Sequence, residues 1–306
     1  MSDTRTALVF PGQGSQHPGM LTNVPELDSL DRLLDAAEAL SGLDLRRIAV
    51  AGSPDDLADT RVAQPLLFLA DWAWGFTLLE SGVSPVAVAG HSLGELAALA
   101  VADVISPEAG LELVVERSKL MAAAASANPG AMAAVLGMDA DAIRDAIADQ
   151  PNVWIANDNS PGQVVVSGTS DGIAAATGAL LEAGARKVIE LAVSGAFHSP
   201  IMDAAGAAFA DLLAGAEFDD AEIPVIQNTE PEPTTSGEVI RERLIGQITS
   251  PVRWTETMYR LAIGGPITLV ECGPGKVLSG LAKHIDGITT FAVEYADLEA
   301  LVEEVT

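Results

Sequence analysis

Several protein classes are excluded by what this chain has little of. It has one cysteine, Cys272, in 306 residues. That rules out a disulfide framework within the chain and fits a reducing compartment. Positive charge is also scarce: 16 lysines and arginines stand against 43 acidic residues, for a formal net charge of −27. Nucleic acid and anionic membrane surfaces are held by basic footprints, so neither is an expected partner. The four histidines and the lone cysteine show no zinc-ligand spacing, so no metal site is expected. The most apolar segment, residues 62–79, is interrupted by Pro65 and Asp71 and reads as a buried helix rather than a membrane span. The N-terminus runs from Met1-Ser2-Asp3-Thr4-Arg5-Thr6 into a strand-like Ala7-Leu8-Val9-Phe10. It lacks a signal-peptide pattern, so a cytoplasmic location is expected. No internal repeat or low-complexity tract is present.

Hydrophobic residues make up 49% of the chain and charged residues 19%, which suits one large domain or a large domain with a smaller insert. Strand-like runs at 7–10 and 86–89 alternate with helical stretches near 25–40, 63–79 and from Leu93 onward. That alternation predicts a parallel sheet covered by helices on both faces. Another helix is expected over 111–125. From about Gly130 the rhythm changes to strand 131–136, helix 139–148, strand 152–156, strand 163–167, helix 171–183 and strand 186–192. The order β-α-β-β-α-β is that of a ferredoxin-like split βαβ unit. It predicts a small inserted subdomain over 129–196, with 1–128 and 197–306 forming the larger one. The strand-like 267–271, the turn Gly273-Pro274-Gly275 and a helix from Lys276 belong to the larger part.

The sharpest motif is "GHSLGE", residues 90–95. A serine between two glycines, after an apolar run and before a helix, is the context in which G-x-S-x-G presents a nucleophile. Ser92 then needs a base. His17 lies in a loop bounded by glycine and proline, His91 adjoins the serine, and His284 follows a helix near the C-terminus. His198, in "SGAFHSP" at 194–200, stands where the insert ends, and a cleft forms at such a junction. It is the best candidate, with a surface loop histidine as the bland alternative. No buried carboxylate is evident to orient the ring, and a backbone carbonyl would serve. "FPGQGSQ", residues 10–16, fails as a dinucleotide fingerprint because position 17 is histidine, and it lacks a Walker lysine. It offers backbone donors and the Gln13 side chain at a strand end. With the amide of Leu93, these would suit an oxyanion hole. Arg117 sits in the helical "ELVVERSKLM". Most helix arginines are solvated, but one buried in a cleft would grip a carboxylate with its planar fork.

Together these pieces resemble the malonyl-CoA:acyl carrier protein transacylases. The resemblance spans nearly the whole chain, in order: "FPGQGSQ", "VAQP" at 62–65, "GHSLGE", Arg117 in "ERSKLM", "NDNSPGQVVVSG" at 157–168, "SGAFHSP", "SPVRW" at 250–254 and "GPGKVLSGLAKHI" at 273–285. It implies an α/β-hydrolase-like core with a ferredoxin-like insert. Ser92 would accept malonyl from malonyl-CoA, and His198 would be its acid and base. Gln13 and the Leu93 amide would form the oxyanion hole, and Arg117 would bind the free malonyl carboxylate. Gln64 and Asn159 match pocket-lining positions, while Phe197, in the family's "AFH" spelling, would narrow the pocket for unsubstituted malonyl. The family's histidine leans on a backbone carbonyl near an "NPV" stretch; here that stretch is Ser250-Pro251-Val252. The acceptor would be an acyl carrier protein, met through the sparse cations Lys276, Lys283, Arg186 and Lys187. No cofactor is implied, and the working unit would be a monomer. Three alternatives stay open: a Ser–His hydrolase, a silent carrier-binding module, and a discrete acyltransferase serving a polyketide synthase.

Overall fold

In a computed structural model, described for residues 5–193 and 195–306, the strands fall into two sheets. In chain order they are β1 (Thr6–Phe10), β2 (Ala87–Gly90), β3 (Ala131–Leu136), β4 (Val153–Ser160), β5 (Gln163–Gly168), β6 (Lys187–Glu190), β7 (Val225–Ile226), β8 (Val252–Arg253), β9 (Ile267–Glu271) and β10 (Ile288–Ala292). The first sheet has the order β10-β9-β1-β2-β7, and all its pairings are parallel. Its two faces are buried by different elements. Leu8, Phe10, Val88 and Val270 join one cluster with the apolar residues of helices Thr60–Glu80, Gly94–Val101 and Pro107–Ala127. Ala7, Val9, Ala89 and Leu269 join another, closed by Trp254, Met258 and Leu281. Burial on both faces is why "ALVF" and "VAVA" are continuous apolar runs rather than alternating ones.

The most apolar stretch forms helix Thr60–Glu80, capped by the Asp59 side chain and carrying Pro65 inside its second turn. Of its most hydropathic window, 83% is buried inside the fold, so it is a core helix. Asp71 faces that core, and neither carboxyl oxygen has a hydrogen-bond partner among the described residues. Burial first, and the nearby Glu271 second, push its pKa well above the carboxylate range. A neutral acid is the form such a site tolerates.

The second sheet has the order β6-β3-β5-β4-β8. Strands β3 to β6 pair antiparallel and, with helices Ala140–Ala146 and Ser170–Glu182, follow the expected βαββαβ order. Val135, Val164 and Val166 on one face pack with Ile143, Ile173 and Leu180 of those helices. Met132, Ala156 and Val165 on the other face merge with the main core. This packing brings the second sheet against the first and leaves a cleft between them. The sheet continues past residue 196, because β8 pairs in parallel with β4. β4 itself runs to Ser160 through two register irregularities, where the polar Asn157-Asp158-Asn159 breaks the apolar signal. Helices Asp203–Gly215, Gly237–Ile245, Trp254–Ala262 and Leu298–Val305, and edge strand β10, occupy stretches to which periodicity gave no assignment. Met1 to Thr4 and Ser194, the first letter of "SGAFHSP", lie outside the described residues.

Candidate active site

Strand β2 ends at Gly90 and the next helix begins at Gly94. Between them Ser92 has φ 52°, a left-handed conformation uncommon outside glycine and held only where the surroundings over-determine it. The two flanking glycines are a steric requirement. A Cβ on Gly90 would lie 2.0 Å from the Gly94 carbonyl, and one on Gly94 would lie 2.1 Å from the Phe10 carbonyl oxygen. Strand and helix thus approach more closely than any side chain allows, and the serine projects from the apex of the turn.

Ser92 Oγ lies 2.8 Å from His198 Nε2. On the other side of the ring, Nδ1 lies 3.0 Å from the carbonyl oxygen of Gln247 and 3.1 Å from that of Ser250. Carbonyls only accept, so Nδ1 carries the proton and Nε2 is free to take one from the serine hydroxyl. Two carbonyls therefore orient the ring without adding charge. Burial, then the Arg117 and His91 charges, push the histidine pKa down to about 3, so the imidazole is neutral across the physiological range.

Arg117 comes from helix Pro107–Ala127 and is 1% exposed. Its Nη1 donates to Gln64 Oε1 at 2.9 Å. Its Nη2 donates to Gln247 Oε1 at 2.8 Å and to Ser92 Oγ at 3.2 Å. Every one of these acceptors is neutral, and the guanidinium Nε has no partner among the described residues. Burial lowers the pKa to about 10, with Glu95 opposing, so the group stays charged at neutral pH. A buried cation hydrogen-bonded only to neutral groups is a poor arrangement for stability alone.

All eight residues singled out from the sequence line one cavity of about 340 Å³: Gln13, Gln64, Ser92, Leu93, Arg117, Asn159, Phe197 and His198. Gln64 is fixed by its Nε2 against Met121 Sδ at 3.4 Å, which turns Oε1 to the arginine. Asn159 Oδ1 lies 2.8 Å from His91 Nε2. At Gln13 the side chain reaches only Thr60 Oγ1, at 3.5 Å. Its backbone N–H, like that of Leu93, has no acceptor among the described residues. The Gln13 main chain therefore offers a free donor. Four further residues hold this cluster: His91, Glu95, Asn228 and Gln247. Only His91 and Glu95 had a signal, as letters of "GHSLGE". Lys276 and Lys283 line a groove beyond the helix Val277–Ala282, whose Val277, Leu278 and Leu281 line the cavity. Lys276 Nζ lies 5.3 Å from the centre of the Tyr295 ring.

The acyl transferase domain family matches residues 7–297, and the chain is an acyltransferase. A malonyl CoA-acyl carrier protein transacylase from a Synechocystis strain is 42% identical over 280 residues, 92% of this chain and 93% of the relative. The crystal structure of malonyl-CoA:acyl carrier protein transacylase from Xanthomonas oryzae superposes with a TM-score of 0.92 at 37% identity, covering all of both chains. A malonyl-transacylase solved in complex with its type II polyketide acyl-carrier protein gives 0.90 at 36% identity and 99% coverage of each. The chain belongs to the malonyl CoA-acyl carrier protein transacylase family.

Proposed function

We propose that the chain transfers the malonyl group of malonyl-CoA to the phosphopantetheine thiol of an acyl carrier protein, through a malonyl ester on Ser92, and that it supplies fatty-acid synthesis. One observation carries this reading: the Arg117 guanidinium is buried with neutral partners only and touches Ser92 Oγ. A substrate whose acyl group ends in a free carboxylate supplies the missing anion, and supplies it beside the attacking atom. In the first stage Ser92 Oγ attacks the thioester carbonyl while its proton passes to His198 Nε2. The C–S bond then breaks, and the coenzyme A sulfur takes that proton. In the second stage the carrier thiol gives its proton to His198, its sulfur attacks the ester, and Ser92 leaves with the proton restored. The main-chain N–H groups of Gln13 and Leu93 receive the oxyanion of each tetrahedral intermediate. Thioester and oxyester have comparable transfer potential, so the reading needs no cofactor.

Gln64 and Gln247 would aim the guanidinium, whose fork grips a carboxylate in two places. Asn159 and Phe197 would bound the acyl pocket, Phe197 on the side of the malonyl α-carbon. In architectural terms we read the first sheet with its helices, 1–128 and 197–306, as an α/β-hydrolase-like subdomain. Residues 129–196 are then the ferredoxin-like one, its sheet extended by β8. We read the working unit as a cytoplasmic monomer. Lys276, Lys283, Arg186 and Lys187, all exposed, are where an acidic carrier would dock. A polyketide carrier would be served by identical chemistry, and the carrier accepted separates the two pathways. Intact-protein mass spectrometry after brief exposure to malonyl-CoA tests the reading. A malonyl adduct present on the native chain and absent from Ser92→Ala is expected; an adduct that survives the substitution removes Ser92 as the nucleophile.

A further inference from the structure

The elbow that carries Ser92 is strained, and its restraint comes from outside the motif. Asn228 lies just beyond β7 and is 1% exposed. Its Oδ1 accepts the Ser92 N–H at 2.7 Å, and its Nδ2 donates to the Gly90 carbonyl at 2.6 Å. A carboxamide offers one acceptor and one donor side by side, which is what this turn presents between Gly90 and Ser92. The orientation of the amide is fixed, since an N–H can only donate and a carbonyl can only accept. The Asn228 backbone is itself held on both sides. Its N–H donates to Glu95 Oε2 at 3.0 Å, and its carbonyl accepts the Arg253 N–H at 3.1 Å. Glu95 is buried, on the helix that leaves the elbow. The last letter of "GHSLGE" therefore anchors the residue that holds its serine.

We propose that Asn228 is a positioning residue for acyl transfer: its carboxamide bridges the two ends of the elbow and fixes the direction of Ser92 Oγ. The Leu93 N–H follows directly in the chain, so the same bridge sets the oxyanion donor together with the nucleophile. Asn228 does not line the cavity, so its loss acts on the chemical step rather than on substrate binding. This inference rests on Ser92 being the nucleophile. A native chain that forms no Ser92-dependent malonyl adduct would defeat that reading, whatever the Asn228 variants do.

Two variants test the bridge, with malonyl-CoA as the probe and the rate of acyl-enzyme formation as the readout. Asn228→Ala removes both hydrogen bonds. A misplacement of the order of an ångström costs roughly 10²-fold in rate, so a loss of that size is expected with KM changed by less than about threefold. Asn228→Asp keeps the shape. As a carboxylate it can accept from Ser92 but cannot donate to Gly90, whereas as a neutral acid it can do both. Its deficit relative to the native chain should therefore shrink as the pH is lowered from about 8 to about 5.5, while that of Asn228→Ala should not. Asn228→Ala acylating within about threefold of native at neutral pH, with a cooperative melt, overturns the proposal, as does a loss carried by KM. Should Asn228→Ala fail to fold, the aspartate variant decides alone: recovery in acid supports the bridge, and a pH-independent ratio to native refutes it.

Discussion

Arg117 and Asp71 are equally buried, at 1% and 0% exposure, yet the fold treats them in opposite ways. Around Arg117 it places two glutamine oxygens and the Ser92 hydroxyl; burial lowers the guanidinium pKa to about 10, with Glu95 opposing, and the group stays charged. Around Asp71 it places no hydrogen-bond partner among the described residues, and burial, with Glu271 nearby, pushes the carboxyl pKa well above the carboxylate range. One region keeps a charge whose hydrogen-bond partners are all neutral, and the other favours the neutral form. A charge is worth preserving without a counter-ion only where a counter-ion will arrive, and Arg117 opens on the cavity that holds Ser92 and His198. Asp71 is not among the residues that line that cavity.

The contrast can be broken experimentally at either end. The largest effect is expected from Arg117→Met. A hydrogen bond to a charged group contributes roughly 1.5–3 kcal/mol, so malonyl transfer should fall by about 10- to 100-fold or more. Fold stability should stay within about 2 kcal/mol of native, because relief from burying a charge offsets two glutamine oxygens left without a donor. Acylation kinetics beside chemical denaturation would measure both, and collapse of the fold would mean that Arg117 serves structure first.

A smaller effect is expected from Asp71→Asn, which imitates the neutral acid. Freed of the cost of protonating a carboxyl, it should be at least as stable as native at neutral pH, with catalysis unchanged. The pH dependence is more telling. The native Asp71 pKa is raised above its unfolded value, so its relative contribution is full below the unfolded pKa, about 4, and declines as pH rises toward the folded one. The native chain should therefore gain stability over Asp71→Asn as pH falls from about 7 to about 4. Denaturation curves with equal slopes would show that Asp71 is ionised in the fold.

His198 gives the opposite sign. Its folded pKa is pushed down to about 3, below an unfolded value of about 6.5, so its contribution is present above about pH 6.5 and is lost as the pH falls toward 3. Comparing the native chain with His198→Gln across that window isolates the term. A native advantage that does not shrink on acidification would mean that the imidazole is charged in the fold.

Much of this was legible in the sequence, and the remainder was hidden for identifiable reasons. The apolar runs at 7–10, 86–89 and 267–271 announce a parallel sheet because both its faces are buried. The glycines of "GHSLGE" announce a turn too tight for side chains. Eight residues scattered from Gln13 to His198 converge on one cavity, a convergence that the family resemblance implied and periodicity could not. Asn228 and Gln247 gave no signal: each is one polar residue in a stretch without helical or strand period, and its importance lies in atoms 136 to 155 positions away. Strand β8 is two residues long, too short for any pattern. At Gln13 the sequence identifies the residue, and only the placed backbone shows that its main-chain N–H has no acceptor among the described residues.

The central claim is that Arg117 keeps its charge for the free carboxylate of the acyl group. The most direct test compares Ser92 acylation rates from malonyl-CoA and acetyl-CoA in the native chain and in Arg117→Ala. The account predicts a strong native preference for malonyl that collapses in the variant, with acetyl transfer little changed. Equal loss of both transfers would contradict it and leave Arg117 as a support for the fold.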